Sequence, residues 1–292
     1  MPNLKLSKEV RMGVAYRMFH TRLVRRERLS ASFVRLTLAG PDLADCSPTL
    51  LDQRVKLVFG AAEQLGALAA AEDWYVDWQK LGTDAPALRT YTLSAVRPAE
   101  DGSGEVDLDV VVHETDGSPA PGTQFARDAA LGTVVGLVAG DRTQEGHDSI
   151  GVAWKGHTAR EVLLIGDETA LPAVANIVRT LPAGCRGCVL LEVPHESDIR
   201  LLEAPSGVRT EWYVRSRGER LAREQAAAHA SRPSVAPDEL VWEEPVEADA
   251  GERFAWVAGE AGWVKQLRPV VSELGFRREQ QSIMGYWKQA TG

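Results

Sequence analysis

The chain has 292 residues, which is long enough for two domains of ordinary size. Its composition, 44% hydrophobic and 25% charged, is that of a globular protein, and no apolar run approaches the roughly 20 residues that a membrane-spanning helix requires. The net charge of −8, with no basic stripe along the sequence, argues against nucleic acid as a partner.

The first half of the chain alternates short β-type segments with turn residues. Helical pattern is scarce there, so we expect a closed or nearly closed antiparallel barrel over residues 19–140. Residues 61–87 interrupt the series with Ala-rich and Trp-containing sequence, and they are predicted to form an inserted loop or a short helix. The predicted strands are MFHTRLVRRERL, ASFVRLTLAG, RVKLVFG, RTYTLSAV, EVDLDVVVHE and TVVGLVAG.

From about residue 160 onward, strand and helix patterns alternate, which is typical of an open parallel α/β sheet. The predicted strands are EVLLIG, GCVLLEV, VRTEWYV, FAWVAG and QSIMGYWK, and the predicted helices are TALPAVANIVRTL, GERLAREQAAAHA and AGWVKQLRPVVSELG. The expected fold is therefore an N-terminal antiparallel β-barrel, residues 1–148, followed by a C-terminal α/β domain with an open parallel sheet, residues 149–292.

A first candidate site lies at a predicted strand start, Arg89-Thr90-Tyr91-Thr92, with Ser94 two residues on. Alternation places Arg89 and Tyr91 on one face of the strand and Thr92 and Ser94 on the other. A flavin needs a flat surface against its ring, a hydroxyl or amide near N5 and a cation at its pyrophosphate, and these residue types supply all three. The same residues also fit a surface Arg beside an ordinary strand Tyr.

A second candidate joins a predicted strand to a predicted helix, from Ile165 to Ala173. Thr169 fits a helix N-cap, and Pro172 fits a first helical turn, where its missing N–H has no partner to lose. Helix N-termini attract phosphates, but Asp167 and Glu168 are negative and a dinucleotide-binding turn is usually glycine-rich. The residues alone therefore favour a capped helix over a phosphate site.

A third candidate is the segment Gly285-Tyr286-Trp287-Lys288. Two aromatic rings and a cation can cover a planar cofactor through stacking and cation–π contact. The same residues also fit a last strand with its Trp in the core, so both interpretations stay open.

Taken in chain order, these motifs resemble one known family. RTYT, then VDLDVVVHE with the segment GSPAPGTQFA, then GDETALPA, FAWVAGEAG and GYWK are similar to the siderophore-interacting proteins, a branch of the ferredoxin-reductase-like flavoenzymes. The resemblance covers residues 16–290, nearly the whole chain. It implies an FAD-dependent NAD(P)H oxidoreductase that reduces Fe(III) held by a siderophore, so that Fe(II) is released.

The resemblance also implies a role for individual residues. Tyr91 is expected against the isoalloxazine, His113 near the flavin, and Trp287 near the flavin where nicotinamide enters. The implied FAD contacts are Arg89, Tyr91, Thr92, Ser94, His113, Gly117, Ala120 and Thr123. The implied nicotinamide contacts are Gly166, Asp167, Glu168, Thr169, Gly259 and Glu260. Lys56 and Lys288, with Arg127 as a further candidate, are the implied basic cluster that holds the ferric siderophore.

One departure from the family pattern affects the phosphate contacts of FAD. The family commonly has a second Arg two residues after the Thr of RxYT, where this sequence has Ser94. Arg97 is the nearby cation that could compensate.

The cysteines and the N-terminus suggest a cellular compartment. Three cysteines are too few for a disulfide framework and suit a reducing environment, and the first residues lack the apolar core of a signal peptide. We therefore expect a cytoplasmic protein. Cys185 and Cys188 form a CxxC with no second pair, which favours a structural role over a zinc or redox site.

The expected function is that of a ferric-siderophore reductase with FAD and NAD(P)H as cofactors. Two alternatives stay open: a flavin reductase on the same scaffold that serves ferredoxin or another acceptor, and a siderophore-binding protein without enzymatic activity. Ferredoxin as an alternative electron donor stays open as well. The end of the chain soon after GYWK favours NADH as the donor.

Overall fold

The computed structural model describes residues 15–112, 119–228, 242–243 and 252–288. The chain divides into two compact units, Met1–Val152 and Ala153–Gly292. This division falls in the polar, Gly-containing stretch 146–156, and the boundary proposed from the sequence, between residues 148 and 149, lies in the same stretch.

The first unit contains a closed six-stranded barrel, as the sequence predicts. Neighbouring strands are antiparallel in the order β1-β2-β5-β4-β3-β6, with β6 returning to β1. Alternating Leu and Val side chains from the strands fill the barrel interior, for example Leu36, Leu57 and Leu108. The strands are β1 (Tyr16–Arg28), β2 (Phe33–Gly40), β3 (Arg54–Phe59), β4 (Ala87–Pro98), β5 (Gly104–Val111) and β6 (Val134–Gly140).

The inserted segment between β3 and β4 forms two short helices, α1 (Ala62–Ala69) and α2 (Trp74–Lys80). Asp73 caps α2, because its side chain accepts hydrogen bonds from the backbone N–H groups of Tyr75 and Val76, at 3.1 and 3.0 Å. Buried apolar residues of the insertion join the outward-facing Val58 and Val138 in a second cluster. The insertion therefore covers part of the outer face of the barrel.

A third helix, α3 (Pro121–Asp128), packs on the barrel core through Phe125 and Ala126. The rings of Phe125 and Phe59 lie 5.4 Å apart, centroid to centroid. The Arg26 guanidinium donates to the carbonyl oxygens of Arg127, at 2.5 Å, and of Ala129. These bonds hold the C-terminal end of α3 against β1, and the positive charge of Arg26 neutralises the negative end of the helix dipole.

The second unit is an open six-stranded sheet in the order β10-β12-β11-β7-β8-β9, parallel except for β10, which confirms the predicted α/β architecture. Because the chain runs outward from β7 to β8 and β9 and then returns to β11 beside β7, the strand order reverses between β7 and β11. The elements are β7 (Glu161–Gly166), α4 (Leu171–Thr180), β8 (Arg186–Val193), β9 (Gly207–Val214), α5 (Arg223–Ala228), β10 (Trp242–Glu243), β11 (Arg253–Glu260), α6 (Ala261–Glu273) and β12 (Gln281–Trp287).

Two helix starts differ from the sequence prediction. The helix predicted from Gly218 begins only at Arg223, because Gly218 is left-handed, with φ of 78°, and ends a 3-10 turn at Arg215–Arg217. The predicted end of that helix, residues 229–230, lies outside the described residues. The helix predicted at TALPA begins at Leu171, so Thr169 is not its N-cap.

Candidate functional site

The Arg89–Ser94 segment lies on β4, between β3 and β5. Tyr91 pairs with Val55 and Arg89 with Leu57, so these side chains share the inward face of the strand pair. Tyr91 is half-buried against the barrel core, and burial raises the pKa of its hydroxyl to about 12. Arg89 is exposed and donates to the carbonyl oxygen of Leu88 at 2.7 Å.

The Tyr91 hydroxyl lies against the first turn of α3. A methyl group added at Gly122 would overlap this hydroxyl, so glycine is required for the close approach of helix and ring. The N-cap Ala120 has no side-chain oxygen to bond the amides of Gly122 and Thr123. The start of α3 is therefore free of a side-chain cap beside Tyr91, and uncapped amides of this kind suit a phosphate oxygen.

Ser94 occupies a β-bulge, because the register of β4 against β5 shifts between Leu93 and Ala95. Its hydroxyl oxygen is buried and has no hydrogen-bond partner among the described residues. Thr92, two residues earlier, is also buried. Three groups of hydrogen-bond donors therefore fit FAD: the buried Ser94 hydroxyl, the uncapped start of α3 and the exposed Arg89 guanidinium. Of the implied FAD contacts, His113 and Gly117 lie outside the described residues.

Arg97 is not the replacement cation that the sequence suggested. Its guanidinium donates two 2.7 Å hydrogen bonds to the carboxylate of Asp107 and one of 3.2 Å to Glu105. Thr37 donates to the same Asp107 carboxylate at 2.8 Å. Both carboxylates belong to the barrel strand β5, so the charge of Arg97 is used within the barrel wall.

Lys56 lies on β3, on the face opposite Tyr91, where it pairs with Thr90. Its Nζ donates to Thr90 Oγ1 at 3.3 Å. Burial and the neighbouring Arg54 lower the pKa of Lys56. Arg54 shares this face, so β3 presents two cations side by side. The sequence analysis missed Arg54, although the spacing of two residues in RVK is the signal that would have found it.

The other two basic candidates differ from Lys56. Arg127 is exposed and forms an ion pair with Asp128, at 3.0 and 3.1 Å, which raises the pKa of Arg127. Its charge is thus partly neutralised by its own neighbour. Lys288 is exposed and follows β12 in the second unit. The grouping of Lys56 with Lys288 stays a prediction.

In the second unit, the implied nicotinamide contacts lie at the carboxyl ends of two neighbouring parallel strands. Gly166 ends β7 and Glu260 ends β11, and these strands flank the point where the strand order reverses. Open α/β sheets bind their ligands in the crevice at such a switch point. Five implied residues, Gly166 to Thr169 and Gly259, therefore lie where this class of fold places a ligand, with Glu260 directly after them.

Asp167 is a buried carboxylate at this edge. Its Oδ1 accepts from the backbone N–H and hydroxyl of Thr169, at 2.8 and 2.5 Å. Its Oδ2 accepts from the backbone N–H of Glu260 and from the indole Nε1 of Trp287, both at 2.8 Å. Burial, with the nearby charge of Glu168, raises the pKa of Asp167 to about 6. Gly259 leaves room for the carboxylate, since a Cβ there would lie 2.7 Å from Oδ2.

Glu168 is the second buried acid of the turn. Its Oε1 lies 2.6 Å from the Arg215 guanidinium, which also reaches Glu192 Oε1 at 3.3 Å. Glu192 Oε2 accepts from the backbone N–H of Leu221 at 2.7 Å. Arg215 thus neutralises two buried acids, one in the turn after β7 and one on β8, a role that sequence reasoning missed because it depends on long-range packing.

The turn after β7 is stabilised by Asp167 rather than by Thr169. The amides of Thr169, Ala170 and Leu171 are bonded to Asp167 Oδ1, Asp167 O and Glu168 O. Few amides of this turn remain for a phosphate group. This geometry agrees with the interpretation of a stabilised turn and helix start, whose stabilising side chain is Asp167.

Cys185 and Cys188 are free and buried, and Cys188 packs in the core of the second unit. Burial raises the pKa of both thiols. Among the described residues, no three His, Cys, Asp or Glu side chains are grouped to hold a metal ion. No helix in the described parts of the chain is long and apolar enough to cross a membrane.

Two family models match the chain. Residues 22–143 match the siderophore-interacting FAD-binding domain, and residues 159–290 match the siderophore-interacting protein model. The matches together cover most of both units.

Curated relatives have related descriptions. The ferric vibriobactin reductase ViuB of Vibrio cholerae is 28% identical over 268 residues, covering 91% of this chain and 88% of the relative. The mycobactin import ATP-binding/permease protein IrtA of Mycolicibacterium smegmatis is 27% identical over 287 residues, which is 95% of this chain but 27% of that protein.

Solved structures share the fold. The siderophore-interacting protein SipS from Aeromonas hydrophila is 24% identical with a TM-score of 0.64, covering 95% of this chain and 100% of that one. The flavohaem-like FAD/NAD binding domain of nitric oxide dioxygenase from Vibrio cholerae is 13% identical with a TM-score of 0.55, covering 93% and 99%. The chain therefore belongs to the siderophore-interacting protein family, carries its FAD-binding domain over residues 22–143, and has the two-domain fold of flavin oxidoreductases that use FAD and NAD(P)H.

Proposed function

We propose that the chain is a ferric-siderophore reductase that uses NAD(P)H and FAD to reduce siderophore-bound Fe(III) and release Fe(II) for iron assimilation. FAD, when bound, supplies the conversion of a two-electron donor into single electrons for iron, and the protein supplies position and charge. The similarity to a ferric vibriobactin reductase over 91% of the chain supports this assignment. Hard oxygen ligands hold Fe(II) far more weakly than Fe(III), so reduction favours release.

The observation that carries the proposal is the pair of cations on one face of β3. Arg54 and Lys56 alternate along the strand, and their proximity contributes to the lowered pKa of Lys56. An anion that binds against both cations would lower their mutual repulsion. The chain carries −8 overall, so an anionic ferric chelate needs such a local positive field.

The flavin is assigned to the first unit. Arg89 and the start of α3, with Ala120 and Thr123, hold the pyrophosphate, and Ser94 contributes its buried hydroxyl. Tyr91 and Thr92 contact the isoalloxazine. This assignment is supported by the uncapped helix start and by the unpartnered Ser94 oxygen.

NAD(P)H is assigned to the second unit, at the carboxyl ends of β7 and β11. Gly166 and Gly259 are buried there and allow the close approach of Ala170 and Asp167. Thr169, Glu260 and Trp287 surround the same edge. Asp167 and Glu168 are buried and bonded within the protein, so we assign them to the support of this edge. A cytoplasmic location and ferredoxin as an alternative donor stay predictions.

The test is stopped-flow spectroscopy of the Lys56→Ala variant, with flavin reduction by NADH or NADPH and reoxidation by an anionic ferric catecholate measured separately. We expect the KM for the ferric chelate to rise about tenfold, as for the loss of one charge-assisted contact, while flavin reduction stays at the parent rate. Added salt should raise the parent's KM in the same direction. Lys265→Ala, an exposed lysine on α6, is the matched control and should change neither step.

Three outcomes would contradict the proposal in different ways. If neither Lys56→Ala nor added salt changes flavin reoxidation by the ferric catecholate, the physiological acceptor is not an anionic ferric chelate. A reductase that serves ferredoxin would behave in this way. Purified protein that is colourless and binds no added FAD would leave only a siderophore-binding role. A yellow protein that neither NADH nor NADPH reduces would exclude a nicotinamide donor.

A further inference from the structure

Three strand ends of the second unit are tied together at Asp167. The residue itself follows β7, its Oδ2 accepts from the amide of Glu260 at the end of β11, and the same oxygen accepts from the indole of Trp287 at the end of β12, both at 2.8 Å. With the two bonds from Thr169, the carboxylate accepts four hydrogen bonds. Asp167 is only 4% exposed, so it has little surface left for a ligand.

A register shift brings Trp287 to this carboxylate. Along β11 and β12, Gly259 pairs with Gly285, but Glu260 pairs with Trp287 rather than with Tyr286. A shift of one residue turns a side chain to the other face of a sheet. Without it, Tyr286 would lie opposite Glu260, and the indole would point away from Asp167.

The Trp287 ring is anchored at one end and accessible elsewhere. Its N–H is fixed by Asp167, yet the residue is 36% exposed, which places it among the most exposed large apolar side chains of the described residues. A fixed, partly exposed indole beside a switch point offers a flat surface to a planar ring.

We propose that Asp167 is a positioning residue that holds the Trp287 ring in one orientation, so that the ring forms a wall for the nicotinamide of NAD(P)H. The proposal rests on the proposed function, and it assigns the residues that position the nicotinamide ring at the carboxyl ends of β7 and β11. Asp167 acts through Trp287 and not by touching the cofactor.

The carboxylate is suited to this role in a way that an amide is not. All four partners of Asp167 are donors, and an ionised carboxylate offers acceptors on both oxygens. In Asp167→Asn, the NH₂ group faces at least one N–H donor in either orientation, but at the Oδ1 position it can donate to the Thr169 hydroxyl and leave the Trp287 contact in place. Asp167→Ala removes both acceptor oxygens, and with them the contact to the Trp287 indole.

The test uses Asp167→Ala, Trp287→Phe and the double variant in the full chain loaded with FAD. Trp263→Phe is the matched control, because its indole also donates a 2.8 Å hydrogen bond, but to the carbonyl oxygen of Leu221. We expect Asp167→Ala and Trp287→Phe each to lower the limiting rate of flavin reduction by about tenfold. The double variant should be no slower than the slower single variant, because both changes remove the same contact.

Two readouts separate positioning from general damage. ADP-ribose lacks the nicotinamide ring, so its inhibition constant should be unchanged in all variants. In ¹H–¹⁵N spectra, the indole resonance that disappears in Trp287→Phe should be displaced in Asp167→Ala, while the Trp263 resonance stays in place.

The proposal is overturned if the Trp287 indole resonance is unmoved by Asp167→Ala, or if the two rate effects multiply in the double variant. Weaker ADP-ribose binding in Trp287→Phe would also overturn it, since the effect would then lie outside the nicotinamide ring. If Asp167→Ala does not fold, Asp167→Glu, which moves the carboxylate, should displace the same indole resonance, and an unmoved resonance there overturns the proposal. A parent protein that no nicotinamide reduces would refute the proposed function instead, and the spectra would still report on the contact.

Discussion

At the scale of single residues, Arg89 is the most direct test of the flavin assignment. Its guanidinium is exposed on β4 and its described hydrogen bond goes to the neighbouring Leu88 carbonyl. Arg89→Ala should weaken FAD retention by about 1.5–3 kcal/mol, the range for a hydrogen bond to a charged group. The measurement is FAD content after gel filtration, with the dissociation constant from fluorescence titration.

Arg25→Ala is the control for Arg89→Ala. Arg25 is also an exposed arginine on a barrel strand, and its ion pair with Glu105 is long, at 3.5 Å. Its replacement should leave FAD content at the parent level. Equal FAD content in Arg89→Ala and the parent would show that the pyrophosphate contact lies elsewhere.

Asp167 gives a pH dependence of opposite sign to that of most carboxylates. Burial raises its pKa to about 6 in the folded chain, above the ordinary value of 3.8. Between these pH values the folded state binds the proton and the unfolded state does not, so stability falls as pH rises. This contribution is fully present below about pH 4 and is lost by pH 7, at up to about 1.4 kcal/mol per pH unit.

The measurement is urea unfolding of the parent and Asp167→Asn from pH 4 to pH 7.5. The difference in unfolding free energy, parent minus variant, should decrease as pH rises through 6. A difference that increases with pH would mean that the four hydrogen bonds outweigh burial and lower the pKa of Asp167 instead.

The sequence could identify some of these residues but not their partners. Arg89, Tyr91 and Asp167 stand in short motifs whose residue types suggest their chemistry. Two contacts could not be predicted. Arg215 lies 47 residues after Glu168, and Trp287 lies 120 residues after Asp167, so these pairs meet only in the folded sheet. Short-range patterns carry no information on such pairings.

At the scale of elements, the contact of α3 with β4 depends on one glycine. Gly122→Ala would place a methyl group on the Tyr91 hydroxyl, so the ring or the helix must move. We expect Gly122→Ala to reduce FAD content and thermal stability. Tyr91→Phe in the same chain should restore part of the stability, because it removes the overlapping oxygen, although the ring carbon would still lie close, at 3.0 Å.

The control for this pair is Gly66→Ala on α1, where an added Cβ meets nothing within 4 Å. That change should be neutral or slightly stabilising, as alanine is favoured over glycine in a helix. If Tyr91→Phe restores nothing, the loss in Gly122→Ala comes from the α3 backbone and not from the contact with Tyr91.

Element boundaries show where sequence reasoning fails. Every strand except the two-residue β10 was predicted from a β-type segment, but the start of α4 did not follow from Thr169, a plausible cap by residue type. Asp167 takes the amide of Thr169 and so forms a turn before the helix begins. Asp167 and Thr169 are both capable of capping this turn by residue type. Which of them does so depends on the residues around them in the folded protein.

At the scale of the whole molecule, the two units have separate apolar cores. A ligand that binds one folded unit should stabilise that unit by mass action. We therefore expect added FAD to raise the apparent Tm of one part of the unfolding transition, followed by tyrosine and flavin fluorescence, and to leave the transition of the second unit unchanged. ADP-ribose should act on the other part. One common shift with either ligand would show that the units unfold as one.

The fold class could be predicted because its signals are local: period-two segments in one half and alternating strand and helix patterns in the other. The strand order could not, since β12 enters beside β11 while β10 covers its other edge. Register shifts such as the one at Ser94 depend on pairing between distant strands. These shifts place the unpartnered Ser94 hydroxyl in the first unit and the exposed Trp287 indole in the second.

Barrel closure has a consequence for self-association. The six strands of the first unit have no open edge, whereas the sheet of the second unit ends at β9, which pairs only with β8 among the described strands. An open edge offers unpaired backbone groups to a strand from another molecule. β9 carries Arg209 and Glu211, paired at 3.0 Å, and charges on an edge strand make such cross-molecule pairing unfavourable. Replacing Arg209 and Glu211 with apolar residues should therefore make this edge more prone to pair with a strand of another molecule.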